Sequence, residues 1–250
     1  MTTGLKGRAA FATGAAHGPG RATALALARE GVPVAALDVA KPLAYPGYDL
    51  GTPHDLDARA EECPARGVNC QAFAAGVRDD AAVGAAIEET VRRFGRIDVL
   101  FNNAGICGYG LAHERTGAAW DAMLDTNLKV EGRVAGRAPG DPAHDRAKVR
   151  RHYPQLVRDG APRRSHYVAP KWGLVGLTTS WATELAPHNI RVHPTGVNAP
   201  RNDGLAAPEG LTPIEVFRRP GQGIFYRCRG WNRTTWPRRS YSSRPIGPDL

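Results

Sequence analysis

No apolar run in this 250-residue chain reaches the roughly 18 residues that a membrane-spanning helix needs, so no membrane partner is expected. The N-terminus lacks the charged, apolar, small-residue succession of an export signal, and the expected location is the cytoplasm. Cysteine is scarce. Cys63, Cys70, Cys107 and Cys228 form no C-x-x-C pair and are expected as free thiols. The eight histidines show no metal-ligand spacing, and no metal site is expected. Hydrophobic residues make up 42% and charged residues 23%, the balance of a globular chain long enough to bury a core. Charge is uneven. Residues 1–130 hold 13 Lys and Arg against 15 Asp and Glu, whereas 131–250 hold 20 against 9. The basic half has the composition of a nucleic-acid patch.

What the first half contains is an alternation of strands and helices. Ala9 to Ala12 is a short apolar run, followed by Gly14, Gly18 and Gly20 in the spacing G-x-x-x-G-x-G. Ala22, Leu25, Ala26 and Ala28 then recur with helical period up to Glu30-Gly31, a helix stop. Val34 to Leu37 is the next strand, ending in Asp38. Glycines let the backbone turn sharply and approach a pyrophosphate, and the helix N-terminus offers it unpaired N–H groups. An acid at the tip of the following strand can accept both ribose hydroxyls and repels a 2′-phosphate, which favours NAD over NADP. The competing reading is a merely tight strand–helix turn.

The connection after Asp38 is long and rich in proline and glycine (Pro42, Pro46, Gly47, Gly51). It is either a wall beside the adenosine or a surface loop. A helix is expected from Pro53, with Thr52 as N-cap. "CQAFAAGVRDD" is a third strand, "AAVGAAIEETVRRFG" an amphipathic helix and "IDVLFNNAG" a fourth strand with continuous apolar residues, as in a parallel strand buried on both faces. Its asparagines are expected to tie neighbouring strand ends together, and Gly105 to leave room for a flat ring. A further helix carries Trp120, Met123, Leu124 and Leu128 inward, with Asn127 near its middle, where an asparagine is disfavoured unless its amide is used. The pattern predicts a doubly wound parallel α/β sheet with helices on both faces. Later, Tyr167 stands four residues before Lys171, a spacing at which the amine can lower the phenol's pKa for proton transfer.

Together these residues resemble the short-chain dehydrogenase/reductases. Thr13-Gly14-x-x-x-Gly18-x-Gly20 is similar to that family's cofactor motif, Asn102-Asn103-Ala104-Gly105 to its strand-four motif, and Tyr167-x-x-x-Lys171 to its active-site pair. Asn127 falls at the family's catalytic asparagine. "IRVHPTGVNAP" resembles strand six and the loop under the nicotinamide. The long connection with "HPTGVNAP" resembles the carveol dehydrogenase-like subgroup, whose members are linked to mycofactocin and whose loop is thought to bury the NAD. The resemblance implies a Rossmann-like three-layer fold and an NAD-dependent oxidoreductase acting on a secondary alcohol or ketone, with a terpene-like substrate by analogy. It implies Tyr167 as acid/base, Lys171 holding the ribose, and Asn127 positioning a relay water. It also implies cofactor contacts at Gly14, His17, Gly18, Pro19, Gly20, Asp38, Val77, Asn103, Ala104, Gly105, Tyr167, Lys171, Pro194 and Val197. The family usually forms tetramers through helices around 115–135 and 168–186.

Two segments depart from the pattern. The family serine, about 13 residues before the tyrosine, falls on Pro154, and the one serine between Asn127 and Tyr167 is Ser165. Residues 140–164 contain Val149, Leu156 and Val157 as their only Val, Ile or Leu among seven Arg and Lys, which predicts no central fifth strand. Strand six looks about three residues short, because Arg191-Val192 runs into His193-Pro194. Residues 217–250 hold eight arginines and no lysine where a last strand and helix are expected. The chain therefore reads as one dehydrogenase domain over 1–216 and an arginine-rich irregular tail over 217–250. Three origins fit the odd segments. One is out-of-frame translation of GC-rich DNA, which yields Arg, Pro, Ser and Trp. The others are divergence to new local structure and a basic arm for nucleic acid, which the absence of lysine from the tail and of any DNA-binding signal elsewhere disfavours, so no nucleic-acid partner is expected. A non-catalytic dinucleotide-binding protein remains the alternative to an enzyme.

Overall fold

The computed structural model describes residues 5–47, 51–62, 67–130, 132, 148–152 and 163–195. All fall within the first of the two units into which the chain divides, Met1–Ala206. The elements are β1 (Ala10–Thr13), α1 (Gly18–Arg29), β2 (Val34–Asp38), α2 (Pro53–Glu62), β3 (Cys70–Ala74), α3 (Asp80–Phe94), β4 (Val99–Asn102), α4 (Gly117–Leu124), β5 (Lys148–His152), α5 (Ser165–Leu185) and β6 (Arg191–Thr195). The strands form one parallel sheet in the order β3-β2-β1-β4-β5-β6.

Every residue of β1, β2 and β4 is buried, which is why their apolar runs are continuous rather than alternating. Successive side chains of β1 enter opposite layers. Phe11 packs with Leu37, Val83, Ile87 and Leu100. Ala10 and Ala12 pack with Ala24, Val34, Leu56 and Phe101 on the other face. Chain order reverses between β1 and β4, and the crevice beyond their C-terminal ends is where doubly wound folds hold ligands. Local signals set the helix ends. Asp79 caps α3 by accepting from Ala82 N, and Gly95 closes it at φ 77°. Thr52 caps α2 as expected, its hydroxyl accepting from Asp55 N while Asp55 accepts from Thr52 N.

Three expectations are corrected. A fifth strand does form, at Lys148–His152, despite its basic composition. It pairs with β4 on one side and β6 on the other, with Val149 in register between Leu100 and Val192. A strand hydrogen-bonded on both sides draws on backbone pairing that its side chains do not supply, so propensity is overridden. β6 is five residues long and includes Pro194, because among the described residues it is the outer strand, where a missing N–H is tolerated. Finally, Cys70 is disulfide-bonded rather than a thiol, while Cys107 forms no disulfide, as expected. Sequence spacing carries no information on which thiols approach in space. The expected last strand and the tail at 217–250 lie outside the described residues, and among the described residues no helix is long and apolar enough to cross a membrane.

Candidate active site

The glycine turn connects the end of β1 to α1. Gly14 and Gly18 have φ of 64° and 53°, the left-handed region that favours glycine. A methyl group on Gly14 would lie 2.8 Å from Ala104 Cα, and one on Gly20 would collide with the Gly14 carbonyl oxygen. The turn is thus folded tightly against the end of β4. His17 precedes α1 in extended conformation and makes no side-chain cap, and Pro19 occupies the first turn, which contains no acidic residue. The positive end of α1 faces the crevice without a carboxylate of its own, the arrangement that suits a pyrophosphate.

Thr13 and Asn103 lock this turn to β4. Thr13 Oγ1 accepts from Asn103 N at 3.1 Å and Ala104 N at 3.0 Å. Asn103 Nδ2 donates to the carbonyls of Thr13 at 3.2 Å and Gly14 at 2.9 Å. The expected tie between strand ends is made by Asn103. Asp38, buried at the tip of β2, accepts from Ala16 N at 3.0 Å and Ala40 N at 3.1 Å. It is therefore fixed beside the glycine turn, with each carboxylate oxygen keeping capacity for a hydroxyl donor. Val77 is buried with Phe11 and Leu37 just beyond β3. Pro194 lies in β6, and Val197 lies outside the described residues.

Asn127 follows α4 in a π-turn spanning Asp125–Lys129, a local widening that re-aims a side chain. Its amide is used: Nδ2 donates to the Ile106 carbonyl at 2.8 Å, and Oδ1 accepts from Ile106 N at 3.0 Å. The same oxygen would lie 2.6 Å from a methyl group on Gly105. A side chain at Gly105 would therefore displace the Asn127 amide, so glycine here keeps Asn127 in place.

Tyr167 and Lys171 lie one turn apart near the start of α5, and Lys171 is buried. Lys171 Nζ stands 5.6 Å from the centre of the Tyr167 ring. It also comes within 3.6 Å of where a methyl on Gly105 would be. Glycine turn, Asn103, Gly105, Asn127, Lys171 and Tyr167 thus form one continuous chain of contacts along the C-terminal edge of β1 and β4. α5 begins at Ser165, so Pro170 sits at its sixth residue, beyond the first turn. Its missing N–H withdraws the helical donor from the His166 carbonyl, at a cost of about 3 kcal/mol. Ser165 is exposed at the start of α5, and Pro154 lies outside the described residues.

Sequence reasoning missed the wall formed by Tyr45 and His166. Tyr45 lies in the long connection after β2, and its hydroxyl is 2.6 Å from His166 Nε2. Arg115 Nη1 donates to the same hydroxyl at 3.2 Å, and Trp120 meets the imidazole edge-on at 6.0 Å. Burial raises the Tyr45 pKa and lowers that of His166, with Arg115 also disfavouring a second positive charge on the imidazole. At its far end the same connection returns to the glycine turn, where Gly51 packs on the Ala16 side chain. The connection therefore touches α5 through Tyr45 and the glycine turn through Gly51. A signal was available in its length, but not in the identity of its contacts.

The fold and these residues define a dinucleotide-dependent oxidoreductase of the doubly wound class. Comparisons with known proteins agree. The family model described as enoyl-(acyl carrier protein) reductase, a short-chain dehydrogenase model, matches residues 14–210. A (−)-trans-carveol dehydrogenase of Rhodococcus erythropolis is 37% identical over 211 residues, covering 80% of this chain and 75% of that protein. The crystal structure of a carveol dehydrogenase from Mycobacterium avium in complex with NAD superposes with a TM-score of 0.73 at 30% identity, covering 76% of this chain and 69% of that one. An NAD+-bound xylitol dehydrogenase superposes with a TM-score of 0.69 at 26% identity, covering 78% and 71%. The chain belongs to the short-chain dehydrogenase/reductase family.

Proposed function

We propose that the protein is an NAD-dependent dehydrogenase that interconverts a secondary alcohol and its ketone, with Tyr167 as the acid/base. The observation that carries this reading is the buried Lys171 amine beside the Tyr167 ring, on the same edge as the glycine turn that Asn103 anchors. The residues fit NAD. Gly14 and Gly20 leave no room for a side chain, so the turn lies close against β4, whereas Gly18 opens on free space at φ 53°, and Asp38 is held beside the turn by Ala16 N. His17, Gly18 and Pro19 present the positive end of α1 to the diphosphate. Val77, Ala104 and Gly105 are assigned to the cofactor, and Pro194 and Val197 to its nicotinamide side, by family resemblance. When bound, NAD supplies the hydride acceptor.

The chain's own part is proton handling and orientation. Tyr167 takes the hydroxyl proton as the carbinol C–H bond breaks. The charge of Lys171 stabilises the phenolate and so shifts the phenol toward working pH. Asn127, held by Ile106, fixes the backbone from which a relay water is positioned. Secondary alcohols, carveol first because of the relatives, are to be screened with NAD and with an artificial electron acceptor. The second assay is needed because a connection held at Tyr45 and at Gly51 slows cofactor exchange. Tyr167→Phe is expected to lower turnover by about a hundredfold or more. Turnover that survives this change removes the mechanism. A second reading, a dinucleotide-binding protein that turns nothing over, draws on Pro154 standing where the family has its serine. NADH binding without turnover of any alcohol selects it.

A further inference from the structure

The loop leaving β4 leads from the Tyr167–Lys171 pair to two arginines that the mechanism leaves unused. At Gly105 it meets Asn127 and Lys171. At Cys107, whose thiol burial pushes up in pKa, the charges of Arg164 and Lys171 act from nearby. At Gly108 it is pressed against the Tyr45 hydroxyl and His166 Nε2. The guanidinium of Arg164 lies 4.2 Å from the centre of the Tyr109 ring and donates to its hydroxyl. The guanidinium of Arg115 covers Gly110 so closely that a methyl group there would collide with it. Gly110 N also donates to the Arg163 carbonyl at 2.9 Å, which joins the loop to the residue preceding Arg164.

Neither arginine has a carboxylate partner among the described residues, unlike Arg8, Arg78, Arg92, Arg93 and Arg96. Arg115 Nε is buried without a hydrogen bond, and so is Nδ1 of His166. Arg115 can only donate. The arrangement that satisfies Tyr45 therefore has its oxygen accepting from Arg115 and its O–H donating to His166 Nε2. The ring proton of the neutral imidazole is then on Nδ1. Both orphaned atoms are donors, and a buried donor left unpaired is costly. Two cations without a carboxylate among the described residues, beside two orphaned donors, call for an acceptor with negative charge.

We propose that Arg115 and Arg164 form an anion subsite at the outer end of this loop, so that the substrate is a secondary alcohol or ketone carrying a carboxylate. From Cys107 to Gly110 the chain reaches at most about 10 Å, which sets the scale of the separation between carbinol and carboxylate. This assignment rests on the dehydrogenase reading. It narrows the substrate away from the neutral carveol named for the relatives.

The probes are (ω−1)-hydroxy acids of increasing chain length and their methyl esters, each tested for turnover and for binding by calorimetric titration into the full chain with NAD. The acids are expected to exceed their esters in kcat/KM and in affinity by about tenfold to a hundredfold at the best length. The preference should collapse in Arg115→Met/Arg164→Met. Tyr45→Phe removes the hydroxyl that Arg115 and His166 share but keeps both cations, and it should retain the preference. That result separates an anion contact from a loop fastening. Esters that match the acids at every length, or an acid preference that survives the double change, would overturn the subsite. If acids bind preferentially through the arginines but neither acid nor ester is oxidised, the subsite stands and the dehydrogenase reading falls.

Discussion

His166 is buried and keeps one ring nitrogen on Tyr45, so its charge state is set by the fold. Burial, and then the charge of Arg115, lower its pKa from the ordinary histidine value near 6.5. The unfolded chain therefore takes up this proton before the folded one does. The associated stability is present above the unfolded value and is lost as pH falls through the lower folded value. Urea midpoints should decline as pH is lowered below about 6.5. His166→Gln, which has no proton to take up, should flatten that decline. Identical acid slopes in the two proteins would contradict the assignment. At this scale Asp38, Asn103, Tyr167 and Lys171 were legible in the sequence, because each belongs to a short motif whose chemistry dictates the residue type. The Tyr45–His166 bond was not, because its partners are 121 residues apart and neither residue type demands the other.

The glycine turn and the loop that covers it are separate elements with separable roles. Gly20→Ala inserts a methyl group against the Gly14 carbonyl, forcing the turn off β4. It should weaken NADH affinity by at least about tenfold, read by fluorescence titration, because the backbone can no longer approach the diphosphate. Tyr45→Phe leaves the turn intact and removes one fastening of the connection. NADH dissociation should quicken by about twofold to tenfold, read by stopped-flow displacement, the range expected for one hydrogen bond. An unchanged dissociation rate would show that the connection does not gate the cofactor. The elements the sequence foretold least well are those whose stability comes from neighbours. β5 carries lysine and arginine and one valine in five residues, and only its place between β4 and β6 makes it a strand. The π-turn at Asn127 was invisible for a similar reason: the interaction that accompanies it, with Ile106, comes from the loop after β4.

At the end of the sheet opposite the site, Asp98 ties the start of β1 to the start of β4. This buried carboxylate accepts from Ala9 N at 2.9 Å and pairs with Arg96 and, at 3.7 Å, with Arg8. Asp98→Ala orphans a buried N–H and takes a carboxylate from Arg96 and Arg8, and should cost about 1–3 kcal/mol in urea denaturation. A loss below about 1 kcal/mol would mean that solvent replaces the carboxylate. Because Asp98 lies at the other end of the strands, surviving folded protein should bind NADH normally. The parallel sheet with helices on both faces followed from alternating strands and helices, whereas its strand order, and with it the switch point beside the site, is seen only in the structure. The central claim is that this crevice brings a phenol and an amine to a nicotinamide-dependent oxidation. Its most direct test is single-turnover oxidation of a secondary alcohol by NAD-loaded protein, comparing the parent with Tyr167→Phe after equal NADH affinity has been verified. The account predicts hydride transfer slowed by about a hundredfold or more with binding intact. Equal rates in the two proteins would contradict it.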